Sequence, residues 1–413
     1  MVILLLAGLA LHMQSRQEPL ASWDNAFADF LAMNSPRSAP PAPVTLVRID
    51  NASLADHPWP WNPLQYSLFF QAALPLKPEV VGIDQVLDWD RAIVLPEDQN
   101  RKLAQYEKLL RGGILRAPKM VLGAKLGFPD DPQLIPPLQP VPLLRNVHGS
   151  LSQIPEFTAI EMEPSETYRL SSTLGFINLP PTPTRTRFNS VPLLLRYQGE
   201  IAPSFTLQAV LHWAKLTPDD VAVQVGSYID LGGKLRIPID ATGRMRVDFG
   251  VAFPTFGFDE LLLGSEQKEA GRAPIVPIDK IAGSVVLLSR TDAATRTIPL
   301  AANRHGSPGE LFAAAIATIQ TQSFIRPTPD WAQYLIILAL TVLSYFVPRW
   351  RKLEAVRNGL VALAVYALLA LAVFGRWLVW MPGIIPLGVV GFFVLLRVVT
   401  PDSIARPKRP VIL

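Results

Sequence analysis

Residues Val44–Asp90 read VTLVRIDNASLADHPWPWNPLQYSLFFQAALPLKPEVVGIDQVLDWD, two strand-like runs flanking a helix-like one. Val44–Ile49 is β-branched and apolar and closes on Asp50 and Asn51; Val80–Ile83 repeats the pattern and closes on Asp84. Between them, Pro63–Leu74 carries apolar side chains at helical spacing. Two buried strands joined by a helix of this length are most economically parallel, with a right-handed crossover. The expected fold class is therefore α/β, built on a parallel β-α-β nucleus. Asp50 and Asp84 then leave the carboxyl ends of their strands, the edge at which open α/β sheets bind ligands.

Downstream, Glu97–Arg111 reads as a helix ended by Gly112-Gly113, and Lys119–Leu122 as a third strand, extending the series to β-α-β-α-β. Pro129–Pro142 holds six prolines and reads as an extended surface excursion. From Leu174 the pattern changes to short strands and hairpins, with turns at Gln198-Gly199 and Thr242-Gly243. A helix over Ser204–Ala214, a buried strand over Ser284–Leu288 and a helix over Gly309–Gln320, entered through Ser307-Pro308, complete this part. No fixed-period repeat is present.

Upstream, Ser22–Met33 predicts a short amphipathic helix with Ser22 as its cap and Trp23, Phe27, Phe30 and Leu31 on one side. Proline-rich Ser35–Pro43 then delivers the chain extended into the first strand. Val2–Leu11 is an apolar run of signal-peptide length, too short for the roughly 20 helical residues that span a bilayer. Residues 1–19 are expected to be a hydrophobic anchor or signal-like segment, shortened from a longer anchor.

The composition is apolar: mean hydropathy is +0.26, hydrophobic residues are 49% and charged residues 17%, against roughly 25% charged in soluble domains. Three runs account for it, at 331–347, 359–374 and 378–396, the last two joined by a tight turn at Gly375-Arg376-Trp377. They predict an all-α membrane part of three helices over 331–399. Arg349, Arg351, Lys352 and Arg357 between the first two runs, and Arg406, Lys408 and Arg409 in the tail 400–413, place both segments in the cytoplasm by the positive-inside rule. Residues 20–330 are then an extracytoplasmic domain. Trp331, Trp350, Trp377 and Trp380 near the run ends fit interfacial anchors, and Arg376 at the hairpin tip snorkels to the headgroups.

The net charge of +4 is spread along the chain without an aromatic-interleaved patch, which argues against nucleic acid. The chain has no cysteine, which removes disulfides, thiolate metal sites and thiol nucleophiles. The five histidines stand outside any catalytic motif, and a nucleophile elbow, a zinc-protease pair, a phosphate-binding loop and a dinucleotide glycine fingerprint are missing. No catalytic residue, cofactor or metal is assigned. The candidate ligand-binding residues are Asp50, Asp84, Trp59 and Trp61. The two aspartates could converge on a polar ligand at the strand ends; equally, each could cap the segment after its strand. His57-Pro58-Trp59-Pro60-Trp61 could present an aromatic platform, or lock its loop onto the following helix. Asp88 and Asp90 are expected to be solvated.

WDNAFADFL, VRIDNASL, HPWPW and VVGIDQVL, followed in order by LGFINLPPTPTRTRFNSVPLLLRYQGEIAPSF, IPIDATGRMRVDFG and IAGSVVLLS, resemble the CHASE2 domain family over about Trp23 to Val399. The resemblance implies an extracytoplasmic sensor followed by three transmembrane helices. Two segments depart from the family pattern: SRTDAATRT from Ser289 replaces a Gly-Ala-Thr-like turn, and Pro308-Gly309-Glu310-Leu311-Phe312-Ala313 replaces a Pro-Gly-Val-Glu-x-His-Ala-Asn helix start. Relatives often carry a kinase, cyclase or phosphatase domain after the spans, and the residues beyond Val399 leave no room for one, so a stand-alone form is expected. The expected function is a multi-pass inner-membrane sensor that binds an unknown extracytoplasmic ligand and relays it to a separate kinase, cyclase or FecR-like partner. Membrane lipid and a second copy of the chain, as a homodimer, are further expected partners. A structural or assembly protein of the envelope and an unrecognised envelope hydrolase are the alternatives.

Overall fold

The computed structural model describes residues 20–35, 40–89, 94–128, 141–180, 188–295, 297–300, 305–344 and 351–399. The chain divides into two compact units, Ala39–Phe324 and Met1–Ser38 with Ile325–Leu413. The first described helix, α1 (Leu20–Asn34), belongs to the second of these and is already helical at Leu20, ahead of the expected cap at Ser22.

In Ala39–Phe324 the chain runs β1 (Val44–Ile49), α2 (Asn51–Asp56), α3 (Pro63–Ala73), β2 (Val80–Ile83), α4 (Leu103–Arg116), β3 (Met120–Gly127), β4 (Ala159–Met162) and β5 (Thr173–Phe176). It continues through α5 (Phe205–Trp213), β6 (Thr255–Gly257), α6 (Phe258–Glu269), β7 (Val285–Arg290) and α7 (Pro308–Gln320). These seven strands form one mixed sheet. Its parallel part runs β6-β1-β7-β2-β3-β5, and β4 pairs with β3 antiparallel. The strands β1 and β2 are parallel, as the sequence predicts, but they are not neighbours. The late strand β7 lies between them, paired to β1 from Val44↔Val285 to Ile49↔Arg290 and to β2 from Val285↔Val80 to Leu288↔Ile83. Val285, Val286, Leu287 and Leu288 are all buried, the composition a central parallel strand needs when helices cover both of its faces.

Side chains alternate between the two faces. Val44, Leu46, Val80, Val121, Val285 and Leu287 pack with α5 and α7, whereas Val47, Ile49, Val81, Ile83, Val286 and Leu288 pack with α3, α4 and α6. The helix starts follow from local chemistry. Asn62 caps α3 by accepting from the Leu64 amide at 2.8 Å while its own amide donates to Gln65 Oε1 at 3.0 Å, with Pro63 at the first helical position.

Helix α4 begins at Leu103 and continues through Gly112 and Gly113 to Arg116, beyond the expected stop. A Cβ on Gly113 would lie 2.9 Å from Phe70, so glycine serves close packing of α4 on α3 and does not end the helix. The hairpin at Gln198-Gly199 forms between Leu194–Tyr197 and Glu200–Pro203. The one expected around Thr242-Gly243 does not: Leu235–Pro238 pairs with Tyr228–Leu231, and Arg244–Arg246 pairs with Ser190–Pro192. There Asp240 accepts from the amides of Thr242 and Arg244, turning the chain between two sheets. The proline-rich excursion, apart from its end, and Asp90 lie outside the described residues.

In the other unit α1 is joined by α8 (Asp330–Ser344), α9 (Lys352–Trp377) and α10 (Ile384–Val399). Among the described residues α9 is the one helix long and apolar enough to cross a membrane, with a mean hydropathy of 2.1; α8 and α10 are shorter apolar helices. At 26 residues α9 is about 39 Å long, more than a hydrocarbon core needs. Gly375, Arg376 and Trp377 are its last turn and not a tight connection. Leu378 closes it at φ 54, and Val379–Trp380 pairs with Arg326–Pro327. The start of α10 falls at Ile384, later than 378, because buried Asp24 of α1 accepts from the amides of Gly383 and Ile384, both at 2.8 Å.

Gly175 on β5 tests the sheet-to-helix packing, since a Cβ there would meet the Phe205 backbone at 2.9 Å and Val121 at 2.7 Å. Gly175→Ala should destabilise the protein by about 1–3 kcal/mol in chemical denaturation. An unchanged midpoint would contradict the seating of α5 on β5.

Candidate functional site

The strand register aligns one transverse row just past the last apolar residues, at the carboxyl ends of the parallel strands. Arg48 on β1 pairs with Gly257 on β6 and with Ser289 on β7. Asp84 follows Ile83, the partner of Leu288, and so stands level with Ser289; Gly123 follows Leu122, the partner of Ile83, and pairs with Gly175. By alternation from Leu46, Gly82 and Leu287, the side chains of Arg48, Asp84 and Ser289 leave on the face that carries α5 and α7.

Ser289 is buried and its hydroxyl donates to Asp84 Oδ2 at 2.7 Å. The first turn of α7 closes over this pair. Ser307 caps it, accepting from the Glu310 amide, while the Ser307 amide donates to the Glu310 carboxylate. Gly309 comes so close that a Cβ would lie 1.9 Å from Ser289 Oγ and 3.0 Å from Asp84 Oδ2, which makes glycine obligatory with this packing. Asp84 keeps partial solvent contact, yet the protein around it pushes its pKa up to about 7 by desolvation, against the opposing hydrogen bond from Ser289. A carboxyl in that range can hold or release a proton near neutrality.

On the other face a second polar group surrounds the same strand ends. Tyr66 Oη donates to Gln85 Oε1 at 2.6 Å. Burial raises the Tyr66 phenol above its ordinary value, helped by the Asp84 charge and opposed by Arg290. Arg290 lies over the Trp59 ring, 4.1 Å from its centroid, and its Nη2 donates to Asp292 Oδ2 at 3.0 Å. Asp292 pays for burial, but hydrogen bonds from Arg290, Thr295 and the Ala294 amide hold it below the usual carboxylate range.

Of the residues singled out from sequence, Asp84 sits in the row and Trp59 on its opposite side. Asp50 accepts from the amide and hydroxyl of Ser53, both at 3.1 Å, as the cap of α2, and Arg48 stands 3.7 Å away. Asp50 and Asp84 do not converge: β7 separates their strands, a lateral distance of about 10 Å. Trp61 is fully buried, packed on Phe258 at 4.7 Å and Tyr66 at 5.5 Å, with its indole N–H donating to the His57 carbonyl at 2.8 Å. Asp88 is buried, where solvation was expected. It sits between buried Leu87 and Trp89 and accepts from Ser165. Among the described residues no group of three His, Asp or Glu side chains could hold a metal ion.

Sequence reading missed Ser289, Gly309, Arg290, Tyr66 and Gln85. One signal was present: Ser289 opens one of the two segments that depart from the expected pattern and Gly309 is the second residue of the other, and these are the segments that meet at Asp84.

Comparison with protein-family models matches residues 2–346, most of the chain, to the CHASE2 domain. No curated protein and no solved structure matches the chain.

Asp50→Ala should remove the α2 cap and lower stability by about 1 kcal/mol. Thermal unfolding checks this, and an unchanged melting temperature would show that the cap contributes nothing.

Proposed function

We propose, since the chain belongs to the CHASE2 domain family, that it is a membrane-anchored sensor whose α/β unit lies outside the cell membrane and relays a bound stimulus through α8, α9 and α10. The observation that carries this reading is the seating of α7 on the Asp84–Ser289 pair. This helix is the last of the α/β unit, and the chain passes from it through residues 321–329 into apolar α8. A stimulus that alters the seat therefore acts on the segment that continues into the membrane helices. Such coupling requires that the stimulus favour one of two packings of α7.

The hydropathy of α9 and the apolar character of α8 and α10 support three spans. Leu360, Val361, Val365, Leu368 and Leu369 expose a continuous apolar surface on α9, suited to lipid. Arg349, Arg351, Lys352 and Arg357 support a cytoplasmic connection between α8 and α9. The signal then reaches a separate kinase, cyclase or FecR-like partner on that side, and the chain works as a binding and relay protein, without catalysis, in a homodimer.

Crosslinking the full chain in native membranes should recover a signalling partner on the cytoplasmic side; recovery of envelope assembly components alone would support a structural role instead. A reporter fused after Pro348 should be active in its cytoplasmic form, and activity only outside the membrane would overturn the proposed orientation.

A further inference from the structure

Asp84 is set between opposing demands. The packing of β2, β7 and the first turn of α7 restricts water at its carboxyl, which favours the neutral form. The Ser289 hydroxyl and the amino end of α7 favour the anion. The groups around it are few. From β1 comes Arg48, which lies against Asp50; from β7 come Ser289 and, on the opposite face, Arg290, held by Asp292. From α3 comes Tyr66, bonded to Gln85, and from α7 come Ser307 and Glu310, which bond one another; β3 offers Gly123. Among the described residues no cation pairs with the carboxyl directly: Arg48 and Arg290 each pair with another aspartate.

We propose that the proton is the stimulus of this protein: Asp84 takes it up, α7 seats fully on Asp84 and Ser289 when the carboxyl is neutral, and its first turn opens when the carboxyl is ionised. This inference rests on the sensor reading and names the stimulus for it. The sign follows from linkage. In the seated form the carboxyl titrates at about 7, and in an opened, hydrated form it returns toward the ordinary aspartate value near 3.8. Between those values the opened form loses its proton while the seated form keeps it. Opening is therefore favoured about tenfold for each pH unit raised across that window, and it levels off above about 7. Gly309 makes the device steric as well as electrostatic, because its backbone rests directly on the hydroxyl that bonds the carboxyl.

The test is amide hydrogen exchange of the full chain in lipid nanodiscs from pH 5 to 8.5, corrected for the intrinsic pH dependence of exchange and followed over Glu310–Ala314. Opening should increase on the order of a hundredfold between pH 5 and 7 and then level off. In Asp84→Asn the profile should be flat. In Ser289→Ala, which removes a bond that favours the anion, levelling-off should move to higher pH; this variant carries the test if Asp84→Asn fails to fold. A flat profile in the natural chain, a profile unchanged by Asp84→Asn, or an unmoved levelling-off in Ser289→Ala would each overturn the proposal. Recovery of a signalling partner alongside a flat natural profile would leave the sensor reading standing with a different stimulus.

Discussion

Strand β7 is hydrogen-bonded along both edges, with β1 on one side and β2 on the other, although more than 190 residues of chain separate it from β2. Without it the two strands of the opening β-α-β unit would face each other across an empty strand position with unpaired backbone groups. Its four consecutive buried apolar residues, Val285 to Leu288, serve both cores at once, since alternate side chains enter the α5–α7 layer and the α3–α4–α6 layer. Closing so long a loop is entropically costly, and burial on two faces is what offsets it. The β1–β2 unit is thus completed only when the last third of the domain has folded onto it.

That constraint also fixes the site. Because β7 runs in register with β2, its first polar residue after the apolar run, Ser289, arrives beside Asp84, and the next, Arg290, turns to Trp59 on the other face. The chain then returns as α7, whose first turn rests on the pair that β7 has just created. The carboxyl is perturbed because three elements, distant in sequence, close around it.

The elements of the opening stretch were legible because their signals are local: β-branched runs ended by aspartate, apolar residues at helical spacing, and Asn62-Pro63 at a helix start. Asp50 as a cap and Trp61 as a core residue were present among the alternatives that local chemistry allows. The insertion of β7 was not legible, since a strand's neighbours are chosen by tertiary packing and leave no mark in its own periodicity. Nor was the role of Gly113, where a pair of glycines that locally signals a helix end is used to bring α4 against Phe70. The start of α10 is not legible for a related reason: it is set by Asp24, far away in sequence. Ser289, Gly309 and Tyr66 carry no motif of their own and become a site only through the register.

The central claim is that a change at Asp84 is transmitted into the apolar helices. The chain contains no cysteine, so Leu338→Cys, at an exposed position on α8, can carry a single spin label in the full protein. The measurement is the label's spectrum in lipid nanodiscs at pH 5 and pH 7.5. The spectra should differ between the two pH values and become alike when Asp84→Asn is added. Identical spectra without that substitution, or a difference that survives it, would contradict the account.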